Sequence, residues 1–388
     1  MITTFWISLA VVTYTFLGYG IVLYFLIRLK RLFSKPRKPF GQSTFPSVTL
    51  IVAAWNEEDM ILQKIHNTLE LDYPRSLFQL IFITDGSTDR TEEHIKGFKE
   101  ITAMHMDVRN GKMAAIKRAV PYAKGEIIVF SDANTMLNKQ AVKELVKHYQ
   151  NEKVGAVAGE KRIIVAEQAD ASSAGEGFYW KYESKLKAWD YELYSNVGAA
   201  GELFSIRTSL YEPVETDTII DDHMIAMRIA EKGYIIAYEP GAYASETGSA
   251  NTSEELKRKI RIAAGGIQSI FRLRKSANPF RNPVLTFQYF SHRVLRWTFT
   301  PFLIILAFFL NITIVINHGG NLYIFLLLAQ LFFFTGAFIG FLFERKNIKI
   351  KSLFVPYYFC VMNYAVLAGI FRYINKSQSA AWERSIRK

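Results

Sequence analysis

The sequence is short of cysteine, which narrows the kinds of site that it can form. Its 388 residues contain a single cysteine, Cys360, which lies in a hydrophobic segment. One cysteine excludes an intramolecular disulfide and a zinc site built from cysteine thiolates. Internal repeats and low-complexity linkers are also missing, so a repeat architecture is not indicated. The length fits one catalytic domain together with membrane segments.

Acidic residues are outnumbered by basic ones. The sequence has 35 Asp and Glu against 47 Lys and Arg, which gives a formal charge of +12 and a pI near 9.5. Such a balance is common in nucleic-acid-binding proteins, but no nucleic-acid-binding module is recognisable. Many of the basic residues flank apolar segments, as the positive-inside rule predicts. We therefore predict a membrane protein that contacts lipid and no nucleic acid. A basic nucleic-acid-binding membrane protein is an alternative that rests on charge alone.

The first apolar segment, residues 4–27, is long enough to cross a bilayer. Basic residues follow it instead of preceding it, and no small-residue cleavage site comes after it, so it differs from a signal peptide. We predict an uncleaved anchor whose C-terminal end is cytoplasmic. The basic residues behind the segment are Arg28, Lys30, Arg31, Lys35, Arg37 and Lys38.

Three further apolar segments lie near the C-terminus, at residues 298–316, 321–343 and 353–373. The loop 344–351 and the tail 374–388 are both basic, so both are expected in the cytoplasm. These two assignments conflict if residues 353–373 cross the membrane once. Pro356 and Asn363 interrupt the segment, which predicts a re-entrant or broken helix and leaves the number of crossings open.

Between the apolar ends, residues 46–250 alternate between strand and helix patterns, which predicts an α/β sheet. The run Val48–Ala54 is continuously apolar, as expected for a strand buried on both faces. Further strands are predicted at Gln79–Thr84, Ile101–Met106, Glu126–Ser131 and 154–158. Helices are predicted at Glu58–Leu69, from Thr88 onward, at Lys112–Ala123 and at 139–150.

Two later segments have apolar stripes at helical spacing, Phe178 to Leu193 and Leu256 to Ile270. Basic residues surround the second stripe, which predicts a helix lying in the membrane interface; Gln288–Trp297 is a further candidate. The predicted division of the chain is an anchor at 1–30, a catalytic domain at 31–250, interface helices at 251–297, membrane segments at 298–373 and a basic tail at 374–388.

Carboxylates follow the predicted strands at three points, and they are the strongest functional signal. Asp85 and Asp132 come directly after apolar runs, and Asp221 and Asp222 form an adjacent pair at the start of a helix. Carboxylates at the C-terminal ends of strands in an open α/β sheet point into the ligand crevice. Two adjacent acids suit a division of labour in which one orients and the other accepts a proton. Helix capping and ordinary turns are the alternative explanations.

Several neighbouring residues extend this pattern. Asp132 and Asn134 offer two oxygen ligands that suit Mg²⁺ or Mn²⁺ shared with a diphosphate. Lys112 opens a helix and is either a phosphate contact or a solvated surface lysine. Gly201 indicates close approach of a ligand or tight packing. His223 is either a metal ligand or a solvated or locally bonded histidine.

In this order the motifs resemble those of membrane-embedded family 2 glycosyltransferases, the group that includes poly-N-acetylglucosamine, hyaluronan and cellulose synthases. The resemblance covers nearly the whole length and implies a GT-A (nucleotide-diphospho-sugar transferase) domain of the α/β class with N- and C-terminal transmembrane helices. It implies that Trp55, Glu57 and Asp85 contact the nucleotide base and ribose, with Lys112 as a further donor contact. Asp132 matches the first acid of the family's DxD motif, which holds the diphosphate-bound metal.

The resemblance also implies roles for the later residues. Asp222 matches the family's catalytic base and Asp221 the acid before it. The segment from Arg258 to Ile262 stands in the place of the QxxRW motif, with Arg261 left to face the diphosphate.

Two positions depart from the family pattern. Asn134 replaces the second Asp of DxD, which removes a charge from the metal site. Arg258 and Ile262 replace the Gln and Trp of QxxRW, and Ile262 has no aromatic face for a sugar. With Gly201 they are assigned to the acceptor region, so the acceptor and processivity stay open.

The function that follows is inverting transfer of a sugar from a UDP-sugar, in preference to a GDP-sugar, with Mg²⁺ or Mn²⁺ as cofactor. The expected acceptor is a glycan at the cytoplasmic face of the inner (plasma) membrane in cell-surface polysaccharide synthesis, by a multi-pass protein, with export or accessory subunits left open. The acceptor partner is predicted to be a glycan or a lipid-linked acceptor. One alternative function is non-processive transfer of one sugar to a lipid or short glycan. Another is a nucleotide-sugar-binding membrane partner without turnover.

Overall fold

The computed structural model describes residues 1–33, 45–164, 171–247, 252–346 and 350–379, without the side chains of 171–179, 247, 252 and 351. Some of the residues singled out in the sequence lie outside these ranges. They are Lys35, Arg37 and Lys38 behind the anchor, most of the basic tail, and the predicted domain boundary at 250–251.

Eight strands form one mixed sheet. They are β1 (Val48–Ala54), β2 (Phe78–Thr84), β3 (Ile101–Met104), β4 (Ile127–Asp132), β5 (Met136–Leu137), β6 (Val154–Ile164), β7 (Phe204–Arg207) and β8 (Ile235–Thr247). Their spatial order is β3-β2-β1-β4-β7-β6-β8-β5. The first four in this order are parallel, and β7 is antiparallel to β4 and β6. The predicted α/β class is confirmed.

Helices cover both faces of the sheet and continue into the apolar ends. They are α1 (Ile2–Thr13), α2 (Tyr19–Phe33), α3 (Glu58–Leu69), α4 (Thr91–Lys96), α5 (Lys112–Ala119), α6 (Ala141–Val146), α7 (Ala171–Leu193), α8 (Asp221–Glu231), α9 (Thr252–Arg272), α10 (Pro283–Tyr289), α11 (Leu295–Trp297), α12 (Phe299–His318), α13 (Asn321–Arg345) and α14 (Lys351–Ile374).

Strand β1 shows how the sequence pattern builds two cores. All seven of its residues are buried, as its unbroken apolar run predicts. Because side chains alternate along a strand, Leu50 and Val52 pack with α3 on one face. Ile51 and Ala53 pack on the other face with α5 and α8. Strand β1 is thus packed between two helical layers.

Some predicted boundaries differ from the structure. Helix α5 ends at Ala119 instead of Ala123, because Pro121 lacks the N–H that would continue the helix, and a 3₁₀ turn follows. Helix α4 begins at Thr91 and not at Thr88. The predicted helix at 139–150 is α6 followed by a 3₁₀ turn. Strand β6 extends to Ile164 instead of ending at 158, because it pairs with β8 along its whole length.

The apolar stripes of α7 and α9 pack against membrane-side helices. Leu186 of α7 is buried with Tyr19 and Leu23 of α2. Ala263 of α9 faces Gly369 of α14. A Cβ built on Gly369 would lie 2.7 Å from the Cβ of Ala263, so the backbones of the two helices touch. These contacts join the catalytic domain to the apolar ends.

Four helical segments in the described ranges are long and apolar enough to cross a membrane: Ile2–Phe33, which contains α1, a π-helical turn and α2, then Phe299–His318, Asn321–Arg345 and Ser352–Ile374. The first two pack along each other, since Thr15 hydrogen bonds to Thr300 at 3.0 Å and Phe5 packs with Ala307. Helices α12 and α13 form a hairpin in which Asn311 donates to Gln330 at 3.0 Å.

The predicted break at Pro356 and Asn363 is wrong, because α14 is continuous. Pro356 lies only six residues into the helix, so a single backbone bond to Ser352 is lost. The Asn363 amide donates to the carbonyl of Phe359 within the same helix, so it needs no outside partner.

The two ends of α14 are held at different places. Near its start, a Cβ on Gly340 of α13 would lie 2.7 Å from the Leu353 carbonyl oxygen, which marks a close helix crossing. Near its end, Tyr373 stacks on Phe271 of α9 at 5.9 Å between ring centroids.

Candidate active site

The predicted carboxylates meet at one edge of the sheet. Asp132 ends β4 opposite Ala53 of β1, and Asp85 follows β2, whose last residue pairs with Ala54. Parallel strands therefore place Asp85 and Asp132 at the same C-terminal edge, as predicted. Asp222, on the first turn of α8, reaches this edge from 90 residues further along the chain.

Gly201 lies where the reacting groups converge. A Cβ built on Gly201 would lie 3.2 Å from Lys112 Nζ, 3.6 Å from Asp132 Oδ2 and 3.7 Å from Asp222 Oδ2. Any larger side chain would fill the space between these three groups. The glycine therefore leaves room for a ligand, as the sequence indicated.

Lys112 neutralises the acids around it. Its ammonium lies 2.8 Å from Asp132 Oδ1 and 3.4 Å from Asp221 Oδ2. Burial alone would lower the pKa of Lys112, but attraction to Asp132 and Asp221 outweighs burial and raises the pKa. The lysine is therefore a permanent positive charge at the sheet edge, and the alternative of a solvated surface lysine is wrong.

Asp222 has the properties of a general base. Burial, followed by repulsion from the adjacent Asp221, raises the pKa of Asp222 to about 7. A carboxylate with a pKa near the working pH combines a large ionised fraction with real basicity. Asp221 lies near Lys112, and Asp222 is the carboxylate suited to accept a proton.

The donor set at Asp132 and Asn134 suits a divalent cation. Asn134 Oδ1 is buried and has no hydrogen-bond partner, so an oxygen is held ready without a protein donor. No cluster of three or more His, Cys, Asp or Glu able to hold a metal occurs in the described ranges. Two protein oxygens are enough for Mg²⁺ or Mn²⁺ when substrate phosphates and waters complete the coordination.

Lys64, which the sequence did not single out, supports the loop that carries Asp132 and Asn134. Lys64 of α3 is fully buried and donates to Ser131 Oγ at 2.7 Å and to the Thr135 carbonyl at 2.6 Å. Burial lowers the pKa of Lys64 to about 7, although the charge of Asp132 opposes the shift. Lys64 therefore ties together both sides of the loop that carries Asp132 and Asn134. Lys64 lies on α3, which comes before β2, β3 and β4 in the chain, so the sequence around it gave no sign of its contact with this loop.

The residues predicted to contact the nucleotide, at what we call the nucleotide end of the cleft, are bonded to other groups of the protein. Asp85 accepts from the backbone N–H groups of Asn110 and Gly111 at 2.7 and 2.6 Å and from Arg118 at 2.8 Å. The Arg109 guanidinium lies 3.4 Å from the centre of the Trp55 ring. The void between Trp55 and Asp85 measures about 10 Å³, the room of one water.

Glu57 is buried at the start of α3, where its backbone N–H donates to Thr91 at 2.8 Å. Its assignment to the nucleotide, like those of Trp55 and Asp85, stays a prediction.

A cavity of about 580 Å³ connects the other candidates. Its lining includes eight of the predicted site residues, which are Lys112, Asp132, Gly201, Asp221, Asp222, Arg258, Arg261 and Ile262. Within it, Arg261 donates to the Ile219 carbonyl at 3.1 Å, and Arg258 forms a two-pronged ion pair with Glu255. The α9 segment therefore lies beside the acids, although 36 residues separate Arg258 from Asp222.

His223 also lines this cavity, but it is neither solvated nor in a metal cluster. Its ring packs against Tyr289 and Trp297. Burial, with a smaller effect from Arg293, lowers the pKa of His223 to about 3, so the ring is neutral. It packs in the wall of the cavity.

The rest of the lining comes from residues that the sequence did not single out. One face of α7 contributes Trp180, Glu183 and Lys187, and the apolar ends contribute Phe16 and Val366. The spacing of the three α7 residues, at i, i+3 and i+7, is the signal that could have revealed them, because it places all three on the face opposite the apolar stripe.

Several known proteins are similar to this chain in sequence. Residues 49–213 match the Glycosyl transferase family 2 model. A beta-monoglucosyldiacylglycerol synthase from Nostoc sp. is 31% identical over 182 residues, which are 44% of this chain and 37% of that relative. A poly-beta-1,6-N-acetyl-D-glucosamine synthase from Staphylococcus epidermidis is 24% identical over 91% of this chain and 89% of its own length.

The fold is also that of a solved structure, a mannosyltransferase from Pyrobaculum calidifontis in complex with GDP-Man and Mn²⁺. The two structures agree with a TM-score of 0.69 at 22% identity, over 96% of this chain and 99% of the other. The matched domain contains the whole parallel half of the sheet and the edge at which Asp85 and Asp132 lie. Residues 49–213 therefore form a Glycosyl transferase family 2 domain, within a structure that has the GT-A fold.

Proposed function

We propose that the protein is an inverting glycosyltransferase that moves a sugar from a UDP-sugar to an acceptor held at the cytoplasmic face of the membrane. The observation that carries the proposal is the placement of Asp222 across Gly201 from Asp132 and Lys112, inside one large cavity. A base with a pKa of about 7 there faces a cationic group suited to a leaving diphosphate.

In this mechanism Asp222 accepts the proton of an acceptor hydroxyl. The oxygen attacks the anomeric carbon and forms the new C–O bond as the bond to the diphosphate breaks on the opposite face. The leaving electron pair stays with the nucleotide diphosphate, whose developing charge Lys112 and Arg261 stabilise. A divalent cation held by Asp132 and Asn134 would supply further neutralisation of the diphosphate. Asp221 keeps Lys112 oriented between the two acids.

The extent of the cavity favours a lipid acceptor over a soluble glycan. Its lining continues from Asp222 to Phe16 and Val366, which belong to helices apolar enough to cross a membrane. Ile262 lies in the same wall, at the position that the family resemblance assigns to the tryptophan of QxxRW. Both observations support transfer of a single sugar to a membrane-borne acceptor, with polysaccharide synthesis as the second candidate.

The test is a screen of UDP- and GDP-sugars for nucleotide release by the purified protein, with Mn²⁺ or Mg²⁺, followed by sizing of the product. We expect release with one UDP-sugar and a product that carries one added sugar. Release with a GDP-sugar alone would change the donor, and a ladder of products would identify a polymerase. Release no greater than that of an Asp222→Asn sample with every donor would identify a binding protein without turnover.

A further inference from the structure

The part of the cavity that lies toward the membrane has its own set of charged side chains. One face of α7 and one face of α9 line it, and Phe16 and residues 362–366 of α14 lie where it meets the apolar helices. None of the family motifs predicted from the sequence falls on the α7 face. The mechanism proposed above therefore assigns no role to the α7 face.

Lys187 of α7 is the unusual group in this region. The residue is 6% exposed, and it lines the cavity. Its ammonium has no hydrogen bond or ion pair with any residue in the described ranges, and its contacts are the rings of Trp180 at 5.5 Å and Tyr238 at 5.8 Å. A buried ammonium is costly unless an anion compensates it. The structure thus presents a positive charge that lacks its counter-ion.

Nearby carboxylates are engaged elsewhere. Glu183, one turn before Lys187, binds Arg293 and Arg296 at 2.9 Å each and His292 at 3.2 Å. Glu202 binds Lys161 at 2.6 Å. The missing anion is therefore not supplied by these side chains.

A second lysine approaches the same indole. Lys259 of α9 is 7% exposed, and its ammonium lies 5.3 Å from the centre of the Trp180 ring. It also lies 3.4 Å from Glu255. Lys161 of β6 also lies over Trp180, at 5.6 Å, but it is paired with Glu202 and Glu246. An anion shared between Lys187 and Lys259 would relieve the repulsion among the ammonium groups at this ring.

We propose that Lys187 and Lys259, which converge on Trp180, bind the phosphate group of a membrane-borne acceptor lipid that enters between Phe16 and α14. The inference rests on the proposed function, because it names the class of acceptor for that site. Phosphate is the anionic group that membrane lipids carry, and lysine binds it as a point charge. The lipid chain would extend along the apolar helices while its sugar-accepting end reaches Asp222.

The experiment measures binding, so it does not depend on turnover. The purified full chain in detergent is titrated by calorimetry with short-chain phosphatidic acid, the matched neutral diacylglycerol, and inorganic phosphate. The variants are Lys187→Met, Lys187→Arg and Lys259→Met. Lys185→Met is the matched control, since Lys185 is exposed on the same helix and lies over Trp189 at 5.3 Å.

We expect phosphatidic acid to bind the unmodified protein at least about tenfold more tightly than diacylglycerol, as a charged hydrogen-bonding pair predicts. Lys187→Met and Lys259→Met should each remove most of this preference, whereas Lys187→Arg and Lys185→Met keep it. Without lipid, Lys187→Met should also raise the melting temperature, because an uncompensated buried charge is gone. A purely structural lysine would give the opposite shift.

Equal binding of the two lipids would overturn the proposal, and so would a Lys187→Met protein that binds phosphatidic acid like the Lys185→Met control. Inorganic phosphate that binds as tightly as phosphatidic acid would identify a free-phosphate site and overturn the lipid assignment. If Lys187→Met does not fold, Lys259→Met decides by the same criterion. Failure of the proposed function appears separately, as absence of nucleotide release.

Discussion

At the nucleotide end of the cleft, side chains bind one another, whereas at the acceptor end they line open space. Arg109 covers Trp55, and Asp85 is bonded to Arg118 and two backbone N–H groups around a void of about 10 Å³. The cavity that runs from Lys112 and Asp132 past Gly201 to α7 measures about 580 Å³, and its Lys187 has no carboxylate partner among the described residues. The comparison teaches that the nucleotide must exchange bonds already made, whereas the acceptor would enter a space already formed.

The largest effect on activity should come from substitution of Asp222, which lies between the two ends of the cleft. Asp222→Asn removes the proton acceptor, and we expect kcat to fall by about 10³-fold or more, while the Kd for UDP stays within twofold. Nucleotide release and calorimetry measure the two quantities. Asp217→Asn is the control, because Asp217 is an exposed carboxylate that pairs with Arg272. Equal activity in Asp222→Asn would remove this residue as the base.

The pH profile tests the same residue without a mutation. The base acts in its ionised form, and the pKa of Asp222 is about 7. Activity at limiting substrate should therefore rise with pH up to about 7, with a slope near tenfold per unit below that value. A profile already flat between pH 5 and 7 would show that the base has an ordinary carboxylate pKa.

The metal dependence of activity tests whether Asn134 is a metal ligand. Asn134→Ala should raise the Mn²⁺ concentration for half-maximal activity by about tenfold, since one of two protein ligands is lost. Asn134→Asp should lower that concentration, because it adds a charge to the site. Binding of Mn²⁺ followed by electron paramagnetic resonance provides a readout independent of turnover. Unchanged binding in both variants would exclude Asn134 as a ligand.

Substitution of Lys64 tests how strongly activity depends on the support of the loop that carries Asp132 and Asn134. Lys64→Met should lower kcat about tenfold, since Ser131 and Thr135 lose their buried donor. Its pKa is about 7 in the fold against 10.5 ordinarily, so the unfolded chain binds more protons between these values. The free energy of unfolding of the unmodified protein should therefore rise with pH from 7 to 10 relative to Lys64→Met. A constant difference in melting temperature across this range would contradict the buried, uncharged form.

The smallest effect is expected at the nucleotide end itself. Arg109→Ala frees the face of Trp55 and should tighten UDP binding by about two- to fivefold, the strength of an exposed cation–π contact. Trp55→Ala should weaken it. Arg90→Ala, at an exposed position on the neighbouring loop, is the control. If Arg109→Ala instead weakens UDP binding, Arg109 contacts the nucleotide and the nucleotide end is already formed.

The sheet edge was predictable because apolar runs followed by acids mark strand ends, and β1, β2 and β4 follow that rule. The family resemblance supplied Asp222 and the α9 segment, whose closeness to Asp132 depends on contacts across some 90 to 130 residues. Lys64 and Lys187 were not predictable, because burial decides their roles and an isolated lysine in a sequence resembles a solvated one. The prediction from Pro356 was wrong for the opposite reason. A residue that usually interrupts a helix is tolerated about one turn after the start of α14.

The course of α14 bears on the sidedness of the chain. Because α12 and α13 form a hairpin, the end of α13 lies beside the start of α12, next to the catalytic domain. The start of α14 packs there, with Leu353 against Gly340 of α13, and its end packs on α9, with Tyr373 against Phe271. We infer that α14 does not carry the chain across the membrane, so that Lys346 after α13 and Lys376 after α14 face the same compartment. In a Cys360→Ser background, Lys346→Cys and Lys376→Cys should then react with an impermeant maleimide from one side only. The two positive segments would obey one rule of membrane insertion, and three crossings would suffice.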